Sequence, residues 1–270
     1  MSHSARFGLD EGDRGIVLTF DNLGEASALE RGEWPSDRPL GSHESVTEAL
    51  PRLLEDLDRL GLRATFFIEA INCELYPEML DGIAARGHEL GVHGWRHEPW
   101  GELDAQREST LLRRATEAFA STGIETRGFR PPGGELTTRT AELLRELGYE
   151  WCSPDTPTGL APHADAGLAF VDFDWELVDA YHLMERFGEL RSGRGGSRLD
   201  PEATAERLTG LLADGAGVQT VVMHPFLMLD PDWLAGSRRV LELLASLSAR
   251  GQAWVRPGGE VASWLLASEY

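Results

Sequence analysis

Two histidines four residues apart, His93 and His97, have the residue type and spacing that most directly indicate chemistry in this sequence. They occur in residues 87–100, GHELGVHGWRHEPW, directly after a short apolar run. One helical turn or a tight loop can direct two imidazoles at this spacing to a single point, as in sites that hold divalent metals. The pair is therefore a candidate metal site, although paired histidines also occur as ordinary surface or core residues.

The elements that must position these histidines follow an alternating pattern. Apolar, β-branched runs predict strands, among them residues 15–20, 64–68, 88–92 and 219–224. Apolar residues at helical spacing, as in residues 103–122, predict helices between them. About seven strands alternating with helices favour an α/β fold, either a parallel barrel or a doubly wound sheet.

Several polar residues follow the predicted strands, as the two histidines do. A hydrolase that attacks an amide with water needs a base or metal, a donor for the oxyanion and an acid for the leaving nitrogen. Because the carboxyl ends of barrel strands meet at one mouth, residues at successive strand ends are expected to share a site. The candidates at these positions are Asp21, Asn22, His93, His97, Arg130, Asp174 and His224.

The composition excludes some classes of partner. The 270 residues, 41% of them hydrophobic, can bury a full core, and we expect a single domain over residues 1–270 with a loose segment at 1–13. The net charge of −20 repels phosphate backbones and anionic lipid, so we expect neither nucleic-acid nor membrane partners. The polar N-terminus lacks the apolar core of a signal peptide, which predicts a cytoplasmic protein. A homo-oligomer remains open.

Five ordered motifs resemble those of the polysaccharide deacetylase family, also called the NodB-homology or carbohydrate esterase 4 group. They are TFDN at 19–22, HGWRH at 93–97, RPPGG at 130–134, DW at 174–175 and MHP at 223–225. The resemblance implies a distorted (β/α) barrel of about seven strands. It also implies a hydrolase that acts on carbon–nitrogen bonds other than peptide bonds.

The resemblance further implies roles for the residues that match the family's catalytic base and metal ligands. Asp21 matches the catalytic base, and Arg130 matches the arginine that pairs with that base. His93 and His97 match the two histidine ligands of the metal, for which zinc is the expected ion. Asn22 stands where the family has a carboxylate ligand.

Other matching residues correspond to the family's general acid, its oxyanion-binding backbone and its pocket wall. Asp174 would orient His224, which matches the general acid that protonates the leaving amine. Gly133 lies where a backbone N–H helps to bind the oxyanion, and Trp175 would form a wall of the pocket.

Asn22 is the main departure from the family pattern. A neutral amide oxygen is a weaker zinc ligand than a carboxylate, so the third ligand is not settled by the motif. Three arrangements are open: Asn22 or Asp21 completes a weaker metal site, another acidic residue such as Glu25 or Glu89 substitutes, or the site works without metal.

We therefore predict a cytoplasmic hydrolase that deacylates a small N-acyl compound, such as an amino sugar or a biosynthetic intermediate. The segments NLGEASALERG and HGWRHE look most like the branch of allantoinase-like enzymes, cyclic-imide hydrolases and a peptidoglycan deacetylase. One alternative is a metal-independent amidase that opens a cyclic amide or ureide. A second is a catalytically silent barrel that binds carbohydrate.

Overall fold

A mostly parallel sheet runs through residues 14–156 and 162–267, the part of the chain that the computed structural model describes. The predicted loose segment at 1–13 lies outside the described residues. The strands are β1 Gly15–Asp21, β2 Thr65–Ile68, β3 Glu89–Val92, β4 Gly128–Phe129, β5 Trp151–Cys152, β6 His163–Asp165, β7 Leu168–Phe170, β8 Val218–Met223 and β9 Trp254–Arg256.

Helices separate most of these strands and cover the sheet. They are α1 Ala26–Glu30, α2 Leu50–Leu60, α3 Asn72–Leu75, α4 Pro77–Ala84, α5 Ala105–Thr122, α6 Thr140–Glu146, α7 Asp179–Leu183, α8 Gly188–Gly193, α9 Pro201–Asp214, α10 Pro231–Ala249 and α11 Gly258–Ala267. A π-helix covers Ser45–Ala49, and 3-10 helices cover Trp100–Glu102, Trp175–Leu177, Glu185–Phe187 and Pro225–Leu229. Among the described helices, none combines the length and the apolar composition that crossing a membrane requires.

The sheet has the order β6-β7-β5-β4-β3-β2-β1-β8, with β9 paired to the first residues of β1. All neighbouring pairs are parallel except β6 with β7. An isolated parallel bridge between Val178 and Val222 links the chain after β7 to β8. The predicted α/β class and distorted barrel are confirmed. The antiparallel edge strand β6 was not predicted, because its sequence HAD has no apolar run.

Strand β1 is the centre of the sheet. Every residue of GIVLTFD is buried, as expected for a parallel strand that is covered on both faces. Its first residues pair with β9 and its last with β2 on one side, while β8 pairs along the other side. Asp21, the last residue of β1, pairs with Phe67 of β2, and the residue before it, Phe20, pairs with both β2 and β8.

Two segments that are rich in glycine and charged residues, as loops often are, contain fixed structure. Residues 186–200 include α8. Arg191 there is buried and donates hydrogen bonds to the carbonyls of Tyr181 and Met184. The segment after α1 is tied down by Glu25, which accepts hydrogen bonds from Tyr76 Oη and Gly41 N. Composition alone cannot distinguish such buried polar anchors from solvated charges.

Candidate metal and catalytic site

A cavity of about 380 Å³ opens at the carboxyl ends of the central strands. Four of its lining residues come directly from strand ends: Asp21 ends β1, while His93, Arg130 and His224 follow β3, β4 and β8. The structure thus brings together these candidates, which lie far apart in sequence. Parallel strands account for the convergence, because their carboxyl ends lie on one side of the sheet.

The two histidines of the HGWRH segment are fully or partly buried and uncharged, which is the state in which an imidazole can bind a metal. His93 Nδ1 lies 2.9 Å from the carbonyl oxygen of Arg130, which can only accept, so Nδ1 carries the proton and Nε2 keeps its lone pair. His97 has a φ of 71° and its ring centroid lies 5.0 Å from that of His93. Burial lowers the pKa of His93 to about 3 and that of His97 well below its usual value. Both imidazoles are therefore neutral at physiological pH.

Glu69 is the carboxylate that accompanies these histidines. It follows β2 and is fully buried, and neither carboxylate oxygen has a hydrogen-bond partner among the described residues. Desolvation, followed by the nearby charge of Asp21, raises its pKa well above the ordinary value. Ligand atoms of Glu69, His93 and His97 lie within 4.8 Å of one another. A carboxylate with two imidazoles is a common protein ligand set for zinc, and a cation here would satisfy an otherwise unpartnered buried acid.

The alternatives considered for the third ligand occupy other places. Glu25 is engaged with the segment after α1. Glu89 begins β3, at the end opposite the histidines, and accepts hydrogen bonds from Thr65 Oγ1 at 2.6 Å and Gly259 N at 2.9 Å. Glu69 was missed because it belongs to no recognised motif. Its position directly after the apolar run ATFFI was the available signal.

Asn22 lies in the cavity wall with its backbone in the left-handed region, at a φ of 60°. Asparagine is one of the residues that adopt this conformation at low cost. Its buried side-chain oxygen has no hydrogen-bond partner among the described residues. Asn22 thus presents an uncommitted neutral oxygen beside the candidate base.

Asp21 and Arg130 form a buried ion pair at the base of the cavity. Arg130 Nη1 lies 2.7 Å from Asp21 Oδ1, and the two side chains are 1% and 5% exposed. The guanidinium also donates to Thr19 Oγ1 and Ser153 Oγ, both at 2.8 Å, and lies over the ring of Phe67 at 4.3 Å. These contacts fix the arginine, and the arginine in turn fixes one oxygen of Asp21.

His224 is supported by Asp179, and the prediction that Asp174 orients it is wrong. His224 Nδ1 lies 2.6 Å from Asp179 Oδ1, and the backbone N–H of His224 donates to Asp179 Oδ2 at 2.9 Å. Trp233 Nε1 donates to the same Oδ2 at 3.3 Å. Asp179 is fully buried at the start of α7. Its carboxylate holds the ring so that Nε2 remains available to the cavity.

Asp174 is used instead to begin a helix. Its Oδ1 accepts a hydrogen bond from Glu176 N at 2.9 Å, which caps the 3-10 helix that starts at Trp175. It also forms an ion pair with Arg194 at 3.3 Å, with its own side chain 45% exposed. An aspartate before a helix satisfies the free N–H groups of the first turn, which explains why this carboxylate does not reach the histidine.

The remaining predicted residues form the walls of the cavity. Gly133 and Gly134 have φ values of 82° and 88°, so this turn requires glycine for its backbone conformation. At Gly133 a Cβ would meet no atom within 4 Å, whereas at Gly134 it would lie 2.6 Å from Asp155. Trp175 donates from Nε1 to Asp155 at 2.7 Å and packs against Phe187 at 5.1 Å. The aromatic wall is therefore held in place.

The arrangement contains the parts that activating water at an amide requires. An arginine-paired carboxylate and a carboxylate-supported imidazole share one cavity with two neutral histidines. Asp21 and His224 can therefore reach one bound substrate as base and acid, and Glu69, His93 and His97 are a candidate metal ligand set.

Comparisons with known proteins agree with this geometry. A family model described as polysaccharide deacetylase matches residues 9–152. A peptidoglycan deacetylase-like protein, FGM2 of Gibberella zeae, is 34% identical over 133 residues, which cover 47% of this chain and 38% of that protein. The matched segment thus spans well under half the length of that curated relative.

Two solved structures are similar over nearly the whole chain. One is a Mycobacterium smegmatis protein described as a polysaccharide deacetylase, with 26% identity and a TM-score of 0.79 over 96% of this chain and 92% of that one. The other, Puue allantoinase, has 16% identity and a TM-score of 0.74 over 94% of this chain and 91% of that one. The second likeness establishes a shared fold alone.

Proposed function

Because the chain belongs to the polysaccharide deacetylase family, we propose that it hydrolyses the C–N bond of a small N-acyl compound, such as an acylated amino sugar. The observation that carries this proposal is the shared cavity of Asp21, His224 and the histidine pair. Hydrolysis would release a carboxylic acid and a free amine.

Glu69, His93 and His97 would hold a divalent metal, for which we propose zinc. Their chemistry fits that ion, since Glu69 is a buried acid without a partner among the described residues and both imidazoles are neutral. Asn22 Oδ1 would be a further neutral ligand. A metal held there would act as a Lewis acid toward the acyl carbonyl and toward water.

The protein's own groups would move the protons. Asp21, fixed by Arg130, would take a proton from the attacking water as its oxygen bonds to the acyl carbon. The backbone N–H of Gly133 would stabilise the oxyanion. His224, held by Asp179, would give a proton to the nitrogen as the C–N bond breaks, so the amine leaves neutral.

Opening of a cyclic amide or ureide is a second candidate for the same residues. Asn22 favours it, because a neutral residue replaces the family's carboxylate ligand, and a bound metal would then depend on Glu69, outside the motif, for its carboxylate. In this reaction the amine and the acid would remain in one product molecule. Asp21 and His224 would keep their roles.

The experiment compares Glu69→Gln with the matched variant Glu89→Gln, which changes a partly buried glutamate at the opposite end of β3. Zinc content and release of acetate from N-acetylated sugars are measured on both proteins. We expect Glu69→Gln to weaken metal binding by at least about 100-fold and to lower turnover with it, and Glu89→Gln to retain both. Unchanged metal content in Glu69→Gln would remove Glu69 from the proposed site.

The outcome also separates the two reactions. Full activity of metal-free protein on cyclic amides, with none on N-acetyl sugars, would favour the ring-opening reaction. Binding of sugar without any turnover in the metal-loaded protein would favour a silent barrel.

A further inference from the structure

The arginines that line the catalytic cavity differ in how their charges are balanced. Arg130 pairs with Asp21 at 2.7 Å, and Arg31 pairs with Glu33 at the same distance. Arg186 has neither a hydrogen bond nor an ion pair within the described part of the chain, and its guanidinium lies only over the ring of Phe187, at 5.2 Å. Arg186 is exposed, so water solvates its charge, and its guanidinium remains free to bind a negatively charged group that enters the catalytic cavity.

Arg186 lies where two cavities adjoin. It lines the catalytic cavity and also a smaller one of about 110 Å³. The two cavities share Asn22, Arg31 and Arg186. A substrate group held by Arg186 would therefore sit beside Asn22, the residue that follows the proposed base, and near enough to the reacting bond to affect its position.

The charges around Arg186 leave its site positive. Its pKa is lowered, first by desolvation and then by the positive charge of Arg31, while Glu33 opposes this shift. Glu33 is itself engaged by Arg31. Because Arg31 and Glu33 neutralise each other, the positive charge of Arg186 remains, and a negatively charged ligand could neutralise it.

The other acids of the cavity wall are committed elsewhere. Glu30 pairs with Arg107 at 3.2 Å. Glu98 accepts hydrogen bonds from the backbone of Trp95 and Arg96 at 3.0 and 2.9 Å. Neither carboxylate forms an ion pair with Arg186.

We propose that Arg186 determines specificity by binding a carboxylate carried by the N-acyl substrate. The inference rests on the proposed deacylation and narrows its substrate class to anionic N-acyl compounds. A guanidinium suits this task because its planar donors match the two oxygens of a carboxylate. Because this substrate carboxylate would not take part in cleavage of the C–N bond, Arg186 would affect substrate binding more than the rate of the chemical step.

The test uses two substrates that differ only in charge: N-acetylmuramic acid and its methyl ester. The enzyme is compared with Arg186→Gln, Arg186→Lys and the control Arg198→Gln, an exposed arginine of the same segment that pairs with Glu185. We expect the enzyme to favour the acid over the ester in kcat/KM by about 10-fold or more. Arg186→Gln should lose this preference through KM, with kcat and the rate on the ester within about twofold. Arg186→Lys should retain part of the preference, and Arg198→Gln all of it.

Two results would overturn the proposal: equal kcat/KM for acid and ester in the unmodified enzyme, or a preference that survives in Arg186→Gln. If neither compound is hydrolysed, the deacylation of this substrate class fails, and Arg186 is judged separately by calorimetric binding of both compounds. Tighter binding of the acid that disappears in Arg186→Gln would support the carboxylate site. Equal binding of acid and ester would refute it.

Discussion

Replacing Asp179 by asparagine tests whether the Asp179 carboxylate positions His224, the proposed general acid. Four N–H donors converge on this carboxylate: His224 Nδ1 and Ala180 N, both at 2.6 Å from Oδ1, and His224 N and Trp233 Nε1 at 2.9 and 3.3 Å from Oδ2. An amide offers one acceptor and one donor. Whichever way it turns, its NH₂ group faces N–H donors, so at least one buried donor loses its acceptor.

The expected magnitude follows from these contacts. Loss of a charge-assisted hydrogen bond to the imidazole costs about 1.5–3 kcal/mol, and a buried donor without an acceptor costs roughly 1–3 kcal/mol. If the amide instead donates to Nδ1, that nitrogen cannot carry a proton without losing the hydrogen bond, so the protonated imidazolium that would act as general acid is no longer stabilised. We expect Asp179→Asn to lower kcat by about 100-fold or more and to lower the free energy of unfolding by roughly 1–3 kcal/mol.

The assay measures kcat and KM for deacylation and the denaturant midpoint, with Asp174→Asn as the matched control. Asp174 is partly exposed and caps a 3-10 helix, so its asparagine variant retains a capping oxygen and should stay within about threefold of normal kcat. The reasoning would be refuted by a control that loses as much kcat as Asp179→Asn, or by near-normal kcat in Asp179→Asn.

Further predictions concern the metal, the base and a buried histidine. His93→Ala should lose bound zinc while keeping its circular dichroism spectrum, because it removes one of three ligands and no strand; plasma mass spectrometry measures the metal. Asp21→Asn should abolish turnover and lower the free energy of unfolding by about 3 kcal/mol, measured by urea denaturation, because Arg130 is left as an unpaired buried charge. Burial lowers the pKa of His88 in the folded protein to about 4, whereas its ordinary value is about 6.5. Between these pH values the unfolded chain binds a proton that the folded protein does not, so the free energy of unfolding falls as the pH is lowered from about 6.5 to about 4. In His88→Gln, the decrease in the free energy of unfolding between these pH values should be smaller by roughly 2 kcal/mol, as measured by urea denaturation at each pH.

Each of these has a contrary outcome. Retained zinc in His93→Ala would take that residue out of the ligand set. Measurable turnover by Asp21→Asn at close to the normal rate would assign the base elsewhere. An unchanged difference in stability between pH 6.5 and pH 4 in His88→Gln would place the titrating group at another residue.

The sequence predicted the site residues that end long apolar runs. Asp21 and His224 follow strands whose burial is evident from GIVLTF and QTVVM, and parallel strands place their ends together. Asp179 was not predicted, and Asp174 was named in its place, because the choice depends on which side chain caps a local helix and which contacts His224. Glu69 could have been found by extending the strand-end rule to every strand, without regard to motif.

Charge patterns were the least reliable signal. Residues 186–200 are rich in glycine and arginine, as a solvated loop would be. The burial of Arg191 against backbone carbonyls depends on tertiary contacts that no local pattern encodes. The same segment contains Arg186, whose position at the cavity follows from that anchoring.

The pairing of β1 constrains the order in which the ribosome-bound chain can complete its active site. β1 is synthesised well before its partners β8 and β9, and Thr19 donates its hydroxyl to Val221, 202 positions later. Contacts this distant in sequence carry a large loop-closure cost and form late in folding. The apolar strand β1 therefore remains without this partner until the 202 positions that separate Thr19 from Val221 have been synthesised, and Asp21 can meet His224 only after that.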